Sequence, residues 1–187
     1  MSKALHYSVI GVCENVLEQD EIDYVKKLLK EQREFKPFED SLMVATWQVE
    51  VLLTDPIMLN ITGKIKQATE KVMGVKLSNK GDDFRGDIIE YRKGSCAKGH
   101  YDNMPGRMGK QVKEQITVVT MIDLSDDLVG GDAWFAKNKN TSATHKMIPG
   151  PFGTGDMLMY GYDTFHGVSE LIAGRRVVLI SWFSKIN

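Results

Sequence analysis

Between residues 86 and 183 the chain divides into seven short apolar runs, at 86–93, 115–124, 132–136, 143–148, 156–161, 164–168 and 175–183, separated by Gly, Asp and Pro turns. Short strands this closely spaced favour a β-sandwich or barrel over a parallel α/β sheet. In the run 115–124, Ile116, Val118 and Thr120 alternate with Thr117, Val119 and Met121. Both alternating sets are largely apolar, as in a strand buried on both faces. A jelly roll satisfies this pattern and leaves an open mouth where a small ligand can sit. At 187 residues the chain is most simply one domain, 1–187, long enough to bury a real core.

The N-terminal part has a different period. Residues 8–17 suit an edge strand. Gln19 or Asp20 can open a helix whose apolar face is Ile22, Val25, Leu28 and Leu29, ending before Pro37. A strand is expected over 43–53, with Trp47, Val49 and Val51 on one face. Asp55 suits the N-cap of a second helix, Pro56 its first position and Gly74 its stop, with Ile57, Ile61, Ile65, Ala68 and Val72 as the apolar face. Helical support over about 17–74 therefore precedes a jelly-roll core over about 82–184, and the helices can cover one side of the sheet.

A formal charge of -1 argues against bulk electrostatic capture of nucleic acid. No run approaches the length of a membrane span, and the first residues do not read as a signal peptide. Cys13 and Cys96 lack CxxC spacing, so reduced thiols in a cytoplasmic protein are expected.

Chemistry concentrates in Gly86–Asp102, GDIIEYRKGSCAKGHYD. On a strand, positions i and i+2 share a face, which sets His100 beside Asp102 and turns Tyr101 away. A third ligand from a distant strand, His166, would complete two histidines and one carboxylate. That set suits Fe(II) with open positions, whereas zinc more often takes a further protein ligand. Taken alone, an H-x-D tripeptide more often marks surface polar residues. Beyond His166, Arg175 and Arg176 open an apolar strand and point to opposite faces. One of them either binds an anionic ligand through paired hydrogen bonds or reaches water or a structural acid at the strand edge.

These residues resemble the Fe(II)- and 2-oxoglutarate-dependent oxygenases, and within them the prolyl-4-hydroxylase-like group. The resemblance runs through Tyr91, Gly94 and His100, then Gly130-Gly131-Asp132-Ala133-Trp134-Phe135, Gly155-Asp156, His166-Gly167-Val168 and Gly174-Arg175-Arg176, and spans about residues 14–184. It implies a mainly β, cupin-like double-stranded β-helix. It further implies that His100, Asp102 and His166 hold Fe(II), that Arg176 takes the distal carboxylate of 2-oxoglutarate, and that Tyr91 hydrogen-bonds the same cosubstrate. Arg176 is preferred over Arg175 because the family places its basic residue two after the glycine. The chain departs from the group at Ala97, where an aromatic residue is common, and at Asp123, near a position where many relatives carry a cosubstrate-facing tyrosine.

The implied activity uses O2 to hydroxylate a C–H bond, with a prolyl residue of a peptide or protein as first choice and ascorbate as a reductant the group can bind. Hydroxylation of a free amino acid, another small molecule or a nucleobase is the alternative, as is a jelly-roll module that binds metal or organic acid without turnover. The segment 103–114 follows the ligand pair directly and reads as a lid; with Trp182, its Arg107 is a candidate substrate contact. Arg92, Lys93, Lys98, Lys110 and Lys113 add a modest basic neighbourhood, read first as solvated surface, and no aromatic ladder for stacking bases is present. Asp163 reads as a loop residue, and His6 and His145 as bystanders. Cys96 has no evident base beside it, so nucleophilic catalysis is not expected.

Overall fold

The computed structural model describes residues 11–31, 36–38, 43–50, 55–78, 84–102, 115–136, 146–147 and 153–186. In chain order these form β1 (Gly11–Cys13), α1 (Gln19–Glu31), β2 (Lys36–Phe38), β3 (Met43–Glu50), α2 (Pro56–Met73), β4 (Phe84–His100), β5 (Gln115–Leu124), β6 (Val129–Gly130), β7 (Ala133–Ala136), β8 (Lys146–Met147), β9 (Met157–Gly161), β10 (Phe165–Val168), β11 (Leu171–Ala173) and β12 (Arg175–Ser184).

Both helices begin where local chemistry satisfies their first N–H groups. Glu21 reaches back to accept from the Glu18 backbone N–H at 3.0 Å, half of a capping box. Asp55 caps α2 by accepting from the N–H groups of Ile57 at 2.8 Å and Met58 at 3.2 Å, and its other oxygen accepts from the Tyr24 hydroxyl. Gly74 ends α2 in the left-handed conformation, φ 66°. The buried face of α2 is Met58, Ile61, Thr62, Ile65 and Thr69. Ile57 and Val72, expected on that face, are 46% and 39% exposed. Two threonines can take inward positions because each hydroxyl donates back along the helix, Thr62 to Leu59 O at 3.0 Å and Thr69 to Ile65 O at 2.8 Å.

The strands pair antiparallel in the order β1-β9-β5-β12-β4-β10-β7-β8, with β3 also on β4 and β2 on β3. β6 and β11 form a separate two-stranded ribbon. β4 is the connecting element. Its N-terminal half pairs with β12, from Phe84↔Phe183 to Arg92↔Arg175, and its C-terminal half pairs with β10 at Ala97 and His100. β3 lies along the opposite edge of both halves. The expected strand over 86–93 is thus only the first half of β4, and the glycine-containing turn expected after it is a bend within one strand. Gly94 supplies that bend at φ 86°, and the Ser95 hydroxyl accepts from the Arg92 N–H at 2.9 Å.

The sheet separates two cores. Ile22, Val25 and Leu29 of α1 and Met58, Ile61 and Ile65 of α2 pack on Ile88, Ile116, Val118, Ile122, Val177, Leu179 and Phe183. On the opposite face, Ile89, Tyr91, Val119, Met121, Leu158, Tyr160 and Val178 line the interior of the roll. β5 is buried on both faces as its sequence indicates. Removing the fully buried Ile65 side chain from the helix–sheet contact, in Ile65→Ala, is expected to cost about 2–5 kcal/mol in urea unfolding. A loss below about 0.5 kcal/mol would show that α2 does not pack on this sheet.

Candidate metal centre

His100 is the last residue of β4, and His166 faces it directly across the β4–β10 pairing. Asp102 lies past the end of β4, in a bend. It therefore reaches the histidines by a turn of the chain and not by the strand alternation that the sequence suggests. Tyr101 does turn away, against the edge of Phe165 with ring centroids 5.1 Å apart.

The three side chains offer ligand atoms that all lie within 4.8 Å of one another. Asp102 Oδ1 is 3.4 Å from His100 Nε2 and 3.6 Å from His166 Nε2. The other ring nitrogens face carbonyls: His100 Nδ1 lies 2.7 Å from Lys98 O, and His166 Nδ1 lies 2.9 Å from Thr164 O. A carbonyl only accepts, so each Nδ1 carries the proton and each Nε2 presents its lone pair inward. Burial pushes the His166 imidazole below its ordinary pKa, which favours the neutral, ligating form. Burial would raise Asp102, but positive charge on the two imidazoles, together with the Thr117 hydroxyl, which donates to Oδ2, outweighs it and holds the carboxyl well below the usual range; a metal cation between neutral imidazoles would supply the same positive charge. Two imidazoles and a carboxylate converging on one point fit a divalent first-row metal.

Opposite the triad, β12 settles which arginine turns inward. Arg175 lies outside, with Asp123 at 2.7 Å and Glu90 at 3.4 Å. Arg176 is 4% exposed and enters the same cavity as the triad. Among the described residues its one hydrogen bond goes to Gly131 O, and its Cζ sits 5.5 Å from the Tyr91 ring, its cross-strand neighbour. Gly131 adopts φ 71°, and a Cβ there would meet Leu171 Cδ1 at 2.9 Å. The Gly-Gly pair is therefore what lets this carbonyl approach the guanidinium. Tyr91 is buried, which pushes its hydroxyl up to about 12 and keeps it protonated as a donor.

Trp182 also lines the cavity, as do Ala97 and the apolar side chains of Met43, Ile89, Val119, Leu158, Val178 and Ile180. Arg107 and the whole of 103–114 lie outside the described residues, as do His6 and His145. Asp163 is in an exposed turn, as expected. Asp123 does not face the cavity; it is held outside by Lys26 at 2.7 Å and by Arg175. Three polar lining residues escaped the sequence reading: Thr117, Asp87 and Tyr160. Each is a polar residue within a largely apolar run, a pattern that a satisfied core position produces equally well.

No protein-family model matches the chain, and no curated protein matches its sequence. Solved structures do match. A prolyl-4-hydroxylase from Pseudomonas putida aligns at TM-score 0.69 and 13% identity, over 96% of this chain and 94% of its own. A prolyl hydroxylase from Trichoplax adhaerens, in complex with a hypoxia inducible factor peptide fragment, aligns at 0.65 and 12%, over 94% and 83%. HygX from Streptomyces hygroscopicus, with nickel, 2-oxoglutarate and hygromycin B bound, aligns at 0.64 and 12%, over 95% and 83%. At these identities the likeness establishes the fold. It is the double-stranded β-helix of the 2-oxoglutarate/Fe(II) oxygenases, and this chain carries a His-Asp-His triad on it.

Thr117→Val keeps the shape of the side chain but removes the hydrogen bond to Asp102. Metal affinity measured by Mn(II) titration is expected to fall by roughly tenfold to a hundredfold. Gly167→Ala would place a Cβ 2.7 Å from the Ala97 carbonyl and hard against the Trp134 ring, prising β10 from β4 beside His166. A stability loss of about 1–3 kcal/mol with weakened Mn(II) binding is expected.

Proposed function

We propose that the protein is an Fe(II)- and 2-oxoglutarate-dependent dioxygenase that hydroxylates a C–H bond, with a prolyl residue in a peptide or protein as the first-choice substrate. One observation carries this reading: three convergent metal-ligating atoms and a buried arginine share one cavity. His100, Asp102 and His166 would hold the metal. Arg176 has donors beyond the one used by Gly131 O, and a guanidinium can meet the distal carboxylate of 2-oxoglutarate through two parallel hydrogen bonds. Tyr91 stacks beside that guanidinium and offers a further O–H donor.

Bound Fe(II) would supply oxygen activation, coupling conversion of 2-oxoglutarate and O2 to succinate and CO2 with transfer of one oxygen atom into the substrate C–H bond. The chain's part is orientation and exclusion. The Lys98 and Thr164 carbonyls fix both imidazole rings, and Thr117 fixes the carboxylate. Met43, Ile89, Val119, Leu158, Val178 and Ile180 surround the site with apolar wall, keeping bulk water from the reacting centre. Trp182 lies in the same wall and would meet a substrate bound there.

Neighbours of this fold bind a peptide in one case and hygromycin B in another, so the substrate choice rests on the several prolyl hydroxylases among them. Ascorbate as reductant and a cytoplasmic setting, where the two free thiols stay reduced, belong to the same proposal. No helix among the described residues is long and apolar enough to cross a membrane. A binding module without turnover is less well supported, since a relative that has lost turnover often loses part of the triad or the arginine, and both are intact here.

The test is iron-dependent succinate release, screened with prolyl peptides, free amino acids and oligonucleotides. Prolyl peptides are expected to stimulate release, and His100→Ala to lower it by more than about a hundredfold. Near wild-type turnover by His100→Ala would remove the triad from the reaction. Stimulation by amino acids or oligonucleotides alone would replace the substrate.

A further inference from the structure

A second phenol shares the cavity with Tyr91 and Arg176. Tyr160 is on β9, 4% exposed, and packs its ring 4.4 Å from His166 and edge-on to Phe135 at 5.2 Å. Its backbone pairs with Thr117, whose hydroxyl holds Asp102. The ring is thus fixed on two sides by the residues that build the triad.

The Tyr160 hydroxyl makes no hydrogen bond with any described residue. Phenylalanine would fill the same space and make the same ring contacts. A hydroxyl that opens on a cavity is satisfied by what the cavity holds, water in the ligand-free protein and an acceptor of the bound ligand otherwise, and a ligand that displaces the water without accepting would cost about 1–3 kcal/mol. A phenol carries its proton at neutral pH. It is therefore a donor, suited to an anionic oxygen. Arg176 on β12, Tyr91 on β4 and Tyr160 on β9 bring three such donors into one cavity from three strands. On the curled sheet β4 and β9 flank the β12–β5 pair, so the two phenols stand on opposite side walls.

We propose that Tyr160 is a cosubstrate-binding residue whose hydroxyl donates to an anionic oxygen of the 2-oxo acid lying between the triad and Arg176. Such a contact supplies, from β9, the tyrosine that is missing at Asp123. The proposal rests on the oxygenase reading above. It differs from it in assigning a residue that neither the motif spacing nor the metal ligands require.

Isothermal titration of 2-oxoglutarate into the Mn(II)-loaded full chain separates the two, because Mn(II) holds the ligand without needing turnover. Tyr160→Phe is expected to weaken 2-oxoglutarate binding by roughly tenfold to a hundredfold, the loss of one hydrogen bond to a charged group, with Mn(II) affinity and melting temperature unchanged. Wild-type affinity in Tyr160→Phe overturns the assignment and leaves the oxygenase reading standing. A parallel loss of Mn(II) affinity also overturns it, since Tyr160 would then act only by supporting His166. Failure of the wild-type protein to bind 2-oxoglutarate at all overturns the oxygenase reading and this proposal with it.

Discussion

β4 pairs with two different strands along one edge, and the candidate site depends on that double pairing. Its first half brings Tyr91 opposite Arg176 on β12. Its second half brings His100 opposite His166 on β10. Strand register is strongly fixed where faces are buried, because a slip of one residue would exchange core and solvent faces. Here the same register sets two functional pairs at once. Between them Gly94 and Ser95 let the strand bend, so that one continuous element closes the roll and carries three of the five residues expected to hold metal and cosubstrate, if the bend just past its end is included.

Around this frame, burial works on the charged groups in opposite directions. Asp102 is kept anionic when positive charge stands beside it, on the imidazoles or on a metal cation between them, with the Thr117 hydroxyl adding to it. His166 is kept neutral because desolvation wins. Arg176 is fully enclosed, and burial lowers its pKa, yet a guanidinium retains its charge in a protein. Its surroundings are one carbonyl, aromatic rings, the Asp132 carboxylate, which acts on it through space, and the cavity. A buried cation is tolerated when it is paired and hydrogen-bonded, and a dicarboxylate ligand supplies what the carbonyl alone does not.

Much of this was legible from side-chain chemistry with a local signature. Asp55, Pro56 and Gly74 mark the ends of α2, and β5 matches its expected bounds of 115–124 because its alternation is unbroken. Elements without such signatures were missed. β6 has two residues and β11 and β2 three each, too short to show a period. Gly94 and Gly99 read as turn punctuation, which hid the continuity of β4. The facing of α2 was misread at Ile57 and Val72 because hydroxyls that bond back to the helix let Thr62 and Thr69 take core positions. Within the site, the triad and Arg176 follow a recognisable spacing. Thr117 and Tyr160 do not, since their meaning depends on which strands lie across the roll, a property of the closed sheet.

The central claim is that one metal and one 2-oxo acid occupy a single site built from both halves of β4 and from β10 and β12. A crystal structure of the protein soaked with Mn(II) and 2-oxoglutarate tests this most directly. The expected result is one anomalous peak bounded by His100 Nε2, His166 Nε2 and an Asp102 oxygen, with the distal carboxylate of 2-oxoglutarate against Arg176. Manganese bound elsewhere, or 2-oxoglutarate held away from Arg176, would contradict it.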